Sequence, residues 1–207
     1  MQSLPMAWTA SATPAANYSS ITTIVHGTWA RRSAIQTKWW EPQGQFAQAV
    51  DGVVGDLYKH NDYFFWSGAN SDSARRQAAR DFVQWVNQRL TSGGSLRVIC
   101  HSHGGNVALL AATEGLHINK LILLGTPIRT DYLPRLDRVD RLVNIFSPTD
   151  HVQTAGALGR RRGEGRTLAD TSQISNHCTI DPNTGHSDLH DWSVWQQPGN
   201  NFGALLL

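Results

Sequence analysis

Cysteine is nearly absent from this sequence. Cys100 and Cys178 are the only two in 207 residues, which excludes a disulfide framework and a cysteine-built metal knuckle. Long hydrophobic runs are missing too. No stretch approaches the roughly 18 apolar residues that a membrane-spanning helix needs, so no stable membrane insertion is expected. An excess of one charge is also lacking. Eighteen Lys and Arg stand against 16 Asp and Glu, for a net charge of +2. That balance, with no nucleic-acid-binding motif, argues against a nucleic acid as partner. The start, Met1-Gln2-Ser3-Leu4-Pro5-Met6, lacks the basic opening and apolar run of a secretion signal, and a cytoplasmic location is favoured on that ground.

What is present is an ordinary globular composition with two excesses. Hydrophobic residues make up 40% of the chain, too many for intrinsic disorder. Eight Trp and nine His point to an aromatic core, an aromatic-lined pocket, or both. Residues 1–18 read as an irregular arm, with Trp8 as its one anchor. Residues 19–207 read as one domain.

Along that domain, strand and helix signals alternate. Ile21–Val25, Tyr63–Trp66, Leu96–Cys100, Lys120–Leu124, Leu142–Phe146 and Ser175–Ile180 read as strands. Gly44–Val54, a long segment capped by Asn70 or Ser71 and running to about Leu90, Gly105–Ala112 and Asp188–Gln196 read as helices. In the long helix the apolar positions are Ala78, Phe82, Val86 and Leu90, and Arg75, Arg76 and Arg80 are expected to face solvent. Thr91–Gly94 is expected to end it. The sum is an α/β fold, a mostly parallel central sheet with helices on both faces. In such sheets chemistry gathers at the carboxyl ends of the strands.

Those ends are informative. One strand runs into Cys100-His101-Ser102-His103-Gly104-Gly105. A serine between an apolar strand and a small-residue helix, with glycine two positions on, matches most of a nucleophile elbow. Cys100 stands where the first glycine of that motif usually falls. Other strand ends carry His26-Gly27-Thr28-Trp29, Gly125-Thr126-Pro127 and Ser147-Pro148-Thr149-Asp150, and a late turn precedes His186.

On these residues the sequence resembles the α/β-hydrolase superfamily of serine esterases and lipases over roughly residues 20 to 195. The order Ser102, Asp150, His186 is that superfamily's order. The short segment Gly125–Arg141 leaves no room for a cap domain, so the chain is similar to the minimal, lidless members. The resemblance implies Ser102 as nucleophile, His186 as general base and Asp150 as its orienting acid. It implies an oxyanion hole from the backbone N–H groups of Thr28 and His103. It calls for no metal and no cofactor, and for a small-molecule or lipid ester as substrate. Phospholipase, thioesterase or acyltransferase chemistry would use the same triad, and a non-catalytic binding module on the same fold is the rival from another class.

Alternatives stay open at several positions. Asp140 and Asp170 are the reserve acids; His190, His177 and His151 are the rival bases. Trp29, Trp39 and Trp40 line a substrate pocket or simply pack. His26 is expected to brace the oxyanion loop, and Cys100 to be an inert buried residue. The His101-x-His103 pair reads poorly as a metal site, because zinc needs three or four ligands. The basic stretch Arg160-Arg161-Arg162 reads as a solvated loop or an anion-holding one.

Overall fold

In the computed structural model, residues 17–33, 35–155 and 165–207 are described. Five strands, β1 (Tyr18–Val25), β2 (Leu90–His101), β3 (Ile118–Leu124), β4 (Val139–Phe146) and β5 (Ile174–Cys178), form one sheet. They lie side by side in chain order, and every neighbouring pair is parallel. The ladder pairs Val25 with Cys100, His101 with Leu124, Leu124 with Ile145, and Phe146 with Cys178. The strands therefore end nearly level, and the residues that follow each one meet along a single rim.

The central strands are apolar on both faces because both faces are covered. In β2 and β3 successive side chains alternate between two cores. Val98, Cys100, Leu121 and Leu123 pack with Phe82, Trp85 and Leu109 from α2 (Asp72–Asn87) and α3 (His103–Thr113). Ile99, Ile122 and Leu124 pack with Phe46 and Val50 of α1 (Gln45–Val54), Trp195 of α5 (Trp192–Gln196), and Phe202 and Leu206 of the final 3-10 turn. A five-residue helix, α4 (His151–Ala155), follows β4. Between β3 and β4 the chain makes one short 3-10 turn, Thr130–Tyr132, so no cap domain is inserted there. Among the described residues no helix is long and apolar enough to cross a membrane.

Three local expectations need correction. Tyr63–Trp66 is not a strand. Its aromatic side chains are held by packing rather than by a ladder: Phe64 meets Phe82 at 4.7 Å, and the Trp66 indole N–H donates to the carbonyl of His26 at 2.8 Å. Aromatic enrichment signalled burial here, not strand pairing. On the outer edge of β1 a single bridge, Thr22 to Leu57, stands instead. Second, Arg75 is buried, while Arg76 and Arg80 are exposed. Arg75, Ala78, Ala79 and Phe82 form an i, i+3, i+4, i+7 stripe, so position 75 belongs to the inward face. Its guanidinium lies 5.9 Å from the Tyr132 ring and donates to Asn70 Oδ1 at 3.2 Å. Third, α2 stops at Asn87, and Thr91–Gly94 already belong to β2. Ser71 caps α2, accepting from the Ala74 N–H at 3.2 Å.

The expected arm, residues 1–18, lies outside the described residues except for Asn17 and for Tyr18, which opens β1; Trp8 and Arg160–Arg162 also lie outside them.

Candidate active site

Ser102 sits at the junction of β2 and α3 with φ 54° and ψ −134°. That is the left-handed half of backbone space, rarely used by residues with a side chain. The turn is so tight that its neighbours have no room for one. A Cβ on Gly27 would lie 2.7 Å from Ser102 Cβ, and one on Gly104 would lie 2.4 Å from the Val25 carbonyl oxygen. Gly104 thus lets the first turn of α3 rest against the end of β1. Cys100 is fully buried, and burial alone pushes its thiol well above the ordinary range. It acts as a small core residue, as expected.

Asp150 and His186 are brought together from the ends of β4 and the late turn. The His186 Nδ1–H donates to Asp150 Oδ2 at 2.6 Å. The other carboxylate oxygen accepts from the N–H groups of Val152 (2.9 Å) and Gln153 (3.3 Å) at the start of α4. The Arg166 guanidinium donates to the Asp150 backbone carbonyl at 2.9 Å. Each oxygen of Asp150 is therefore committed, and the ring of His186 is fixed with its Nε2 lone pair free of this bond.

The rival residues go elsewhere. Asp140 is exposed at the far end of β4, bonded to Asn119 at 2.9 Å. Asp170 accepts from Asn176 at 2.7 Å. His177 bonds to Ser175 at 3.0 Å, and His151 is exposed at the start of α4. His190 is near the site but stacks flat on Trp39, ring centres 4.1 Å apart.

Three further imidazoles surround the site in fixed neutral forms. His26 donates from Nδ1 to the Gly27 carbonyl at 2.9 Å and accepts at Nε2 from the Trp66 N–H at 3.4 Å. It braces the loop carrying Thr28. His103 accepts at Nδ1 from Asn106 at 2.9 Å. His101 donates from Nε2 to the backbone carbonyl of His186 at 2.9 Å, and their rings lie 4.6 Å apart. This contact was not anticipated from sequence; no linear pattern links positions 101 and 186. His101 and His103 diverge into separate hydrogen bonds, and among the described residues no group of three or more ligand-type side chains gathers for a metal.

Burial lowers the pKa of His26, His103 and His190 from 6.5 to about 4, with Arg75 and Arg129 adding to the effect at His103. Burial, then the nearby His186 and His190, push His101 well below its usual value. In the unfolded chain these groups take up protons near pH 6.5. Between about pH 6.5 and 4 the unfolded state thus binds more protons than the folded one, and stability falls as pH falls. The thermal midpoint is expected to drop steadily across that window. A midpoint that stays level from pH 6.5 to 4 would contradict neutral burial.

The Trp29 N–H donates to the Gly68 carbonyl at 2.8 Å, so it is not available to a ligand. Thr28, half-buried just before it, lines the cleft. His103 opens α3, and a helix's first N–H groups have no carbonyl one turn back to bond. In front of Ser102 lies an open cleft of about 510 Å³, lined in part by Thr28, Trp29, Trp39, Trp40, His186 and Val152. Trp29 is 74% exposed and Trp40 only 7%. Trp40 is therefore mainly a packing residue, and packs on His26 with centroids 5.0 Å apart.

Ser102, with its positive φ, sits at a strand-to-helix turn on the rim of a parallel sheet. A family model described as alpha/beta hydrolase matches residues 53–159, more than half of the chain, and the chain belongs to that family. No curated protein matches the sequence. Solved structures similar to it are distant. One is a covalent complex of the NocB thioesterase domain with a fluorophosphonate nocardicin G analog, 17% identical, covering 91% of this chain and 93% of that one, TM-score 0.49. Another is EstE1, a thermophilic carboxylesterase cloned from a metagenomic library, 13% identical, covering 94% and 79%, TM-score 0.46.

Proposed function

We propose that the protein is a serine hydrolase that cleaves carboxylic esters through an acyl-enzyme. Ser102 Oγ attacks the ester carbonyl, and His186 Nε2 takes its proton and then gives one to the leaving alcohol. Asp150 holds the ring in the tautomer that makes this possible and stabilises the imidazolium that forms. The N–H groups of Thr28 and His103 receive the developing oxyanion. Water then repeats the sequence on the acyl-enzyme and releases the acid.

The single observation that carries this reading is the left-handed backbone of Ser102 facing the same cleft as an imidazole bonded to a buried carboxylate. Strain of this kind costs on the order of 1–3 kcal/mol and persists where function requires it. Trp29 and Trp39 are suited to an apolar portion of the substrate. Thioesters are attacked by the same apparatus, so ester over thioester is a preference to be measured.

A fluorophosphonate probe tests the proposal directly. Peptide mass spectrometry is expected to find the label on Ser102, and His186→Ala to abolish labelling of a still-folded protein. Folded wild-type protein that takes up no label would remove the activated serine, and the binding-module reading would replace it.

A further inference from the structure

The charge of the cleft carries the reading further. Arg31 and Lys38 line it together with the tryptophans. Both lie in the segment that runs on from His26–Trp29, Arg31 two residues and Lys38 nine residues beyond Trp29. No Asp or Glu is among the lining residues, since Asp150 lies behind His186 with both oxygens occupied. Lys38 Nζ donates to the neutral Gln36 at 3.0 Å, and among the described residues neither cation has a carboxylate within ion-pair distance of its charged group. Elsewhere on the surface such groups are commonly matched: Lys59 pairs with Asp51, Arg76 with Asp72, Arg97 with Asp56 and Arg135 with Asp137. The histidines that share the cleft do not offset the excess, because imidazoles are neutral or positive, never anionic. Glu41 sits beside this segment, accepting from the Lys38 backbone N–H at 2.9 Å. Arg31 and Lys38 are the permanently charged side chains that line the cleft itself, between aromatic walls of low dielectric that focus their field.

Resting on the serine-hydrolase reading, we infer that the cleft selects esters carrying a negatively charged group, a carboxylate or phosphate, which Arg31 and Lys38 hold while the apolar part lies along the tryptophans. Arg31 and Lys38 are specificity-determining residues in this assignment. They take no part in bond making.

Matched ester pairs with one acyl chain, one bearing a free carboxylate and one its methyl-capped neutral form, provide the test. The ratio of kcat/KM, anionic over neutral, is expected to fall about tenfold from wild type to the Arg31→Gln/Lys38→Gln double variant, the effect of two partly exposed ion pairs. The wild-type ratio is expected to shrink in about 1 M salt, where screening acts within ~3 Å. An equal ratio in the two proteins, with both esters hydrolysed, overturns this inference and leaves the proposed activity standing. Hydrolysis of neither ester, with no fluorophosphonate label, overturns the proposed activity instead. Binding then decides the charge question: quenching of tryptophan fluorescence by decanoate but not by decanol, lost in the double variant, supports it, and equal quenching by both ligands overturns it. Vesicles distinguish the source of the anion. Sedimentation with anionic but not zwitterionic vesicles, alongside the soluble preference, assigns a lipid headgroup. The soluble preference without sedimentation assigns a free acid. Sedimentation without any soluble preference overturns selection within the cleft.

Discussion

Ser102→Ala is expected to lower ester kcat by roughly 10⁶-fold, to the residual level that binding and an oxyanion hole alone sustain. In the proposed mechanism Ser102 Oγ forms the bond to the substrate, so the expected loss is that large. Cys100 is next but one in sequence, yet it is fully buried as a neutral thiol. The backbone sharpens the test. At φ 54°, alanine keeps the strain of a Cβ in the left-handed region, whereas glycine relieves it. Ser102→Gly is therefore expected to be equally inactive but at least as resistant to urea as the wild type. Activity and urea midpoints of the two variants check both halves. A Ser102→Ala protein that retains even a hundredth of wild-type kcat would remove Ser102 from the chemistry.

Asp150→Asn is expected to cost about 10⁴-fold in kcat, close to the loss seen when a triad acid becomes an amide. The local bonds show why. Oδ2 accepts from His186 and Oδ1 from two backbone N–H groups. An amide has one accepting oxygen and one donating nitrogen. If the oxygen keeps the α4 contacts, the NH₂ faces the imidazole and forces its proton to Nε2, where it blocks proton acceptance from Ser102. If the amide flips, two backbone donors at the start of α4 face another donor. Unpaired buried groups of this kind cost about 1–3 kcal/mol each, so the flipped form is the less stable one. Asp140→Asn and Asp170→Asn, whose side chains bond away from the cleft, are expected to leave kcat unchanged. Steady-state kinetics on the three variants distinguishes position 150 from the other two.

Much of this arrangement was legible in the sequence, and the parts that were not share a cause. The strands β2 to β4 were readable because doubly buried parallel strands are nearly continuous apolar runs. The strand-to-helix turn at Ser102 was readable because a strand, a serine and small residues follow one another without interruption. Tyr63–Trp66 misled because aromatic residues favour both strands and any buried extended segment. Arg75 misled because residue type was weighed above its place on the helical stripe. The bracing of His186 by His101, and the lack of a carboxylate partner for Arg31 and Lys38 among the described residues, belong to neither kind. They depend on what the fold brings near from far along the chain, or fails to bring.

The sheet adds its strands in the order in which they are synthesised, each beside the last. One face is covered as it grows, since α2 and α3 emerge among the strands they protect. The other receives α1 early but is finished only by Trp195, Phe202 and Leu206. A chain still on the ribosome therefore carries Ile122, Val143 and Ile145 incompletely shielded until nearly the whole domain has emerged. Translation that stalls after β5 leaves an apolar sheet face open to aggregation or to a chaperone.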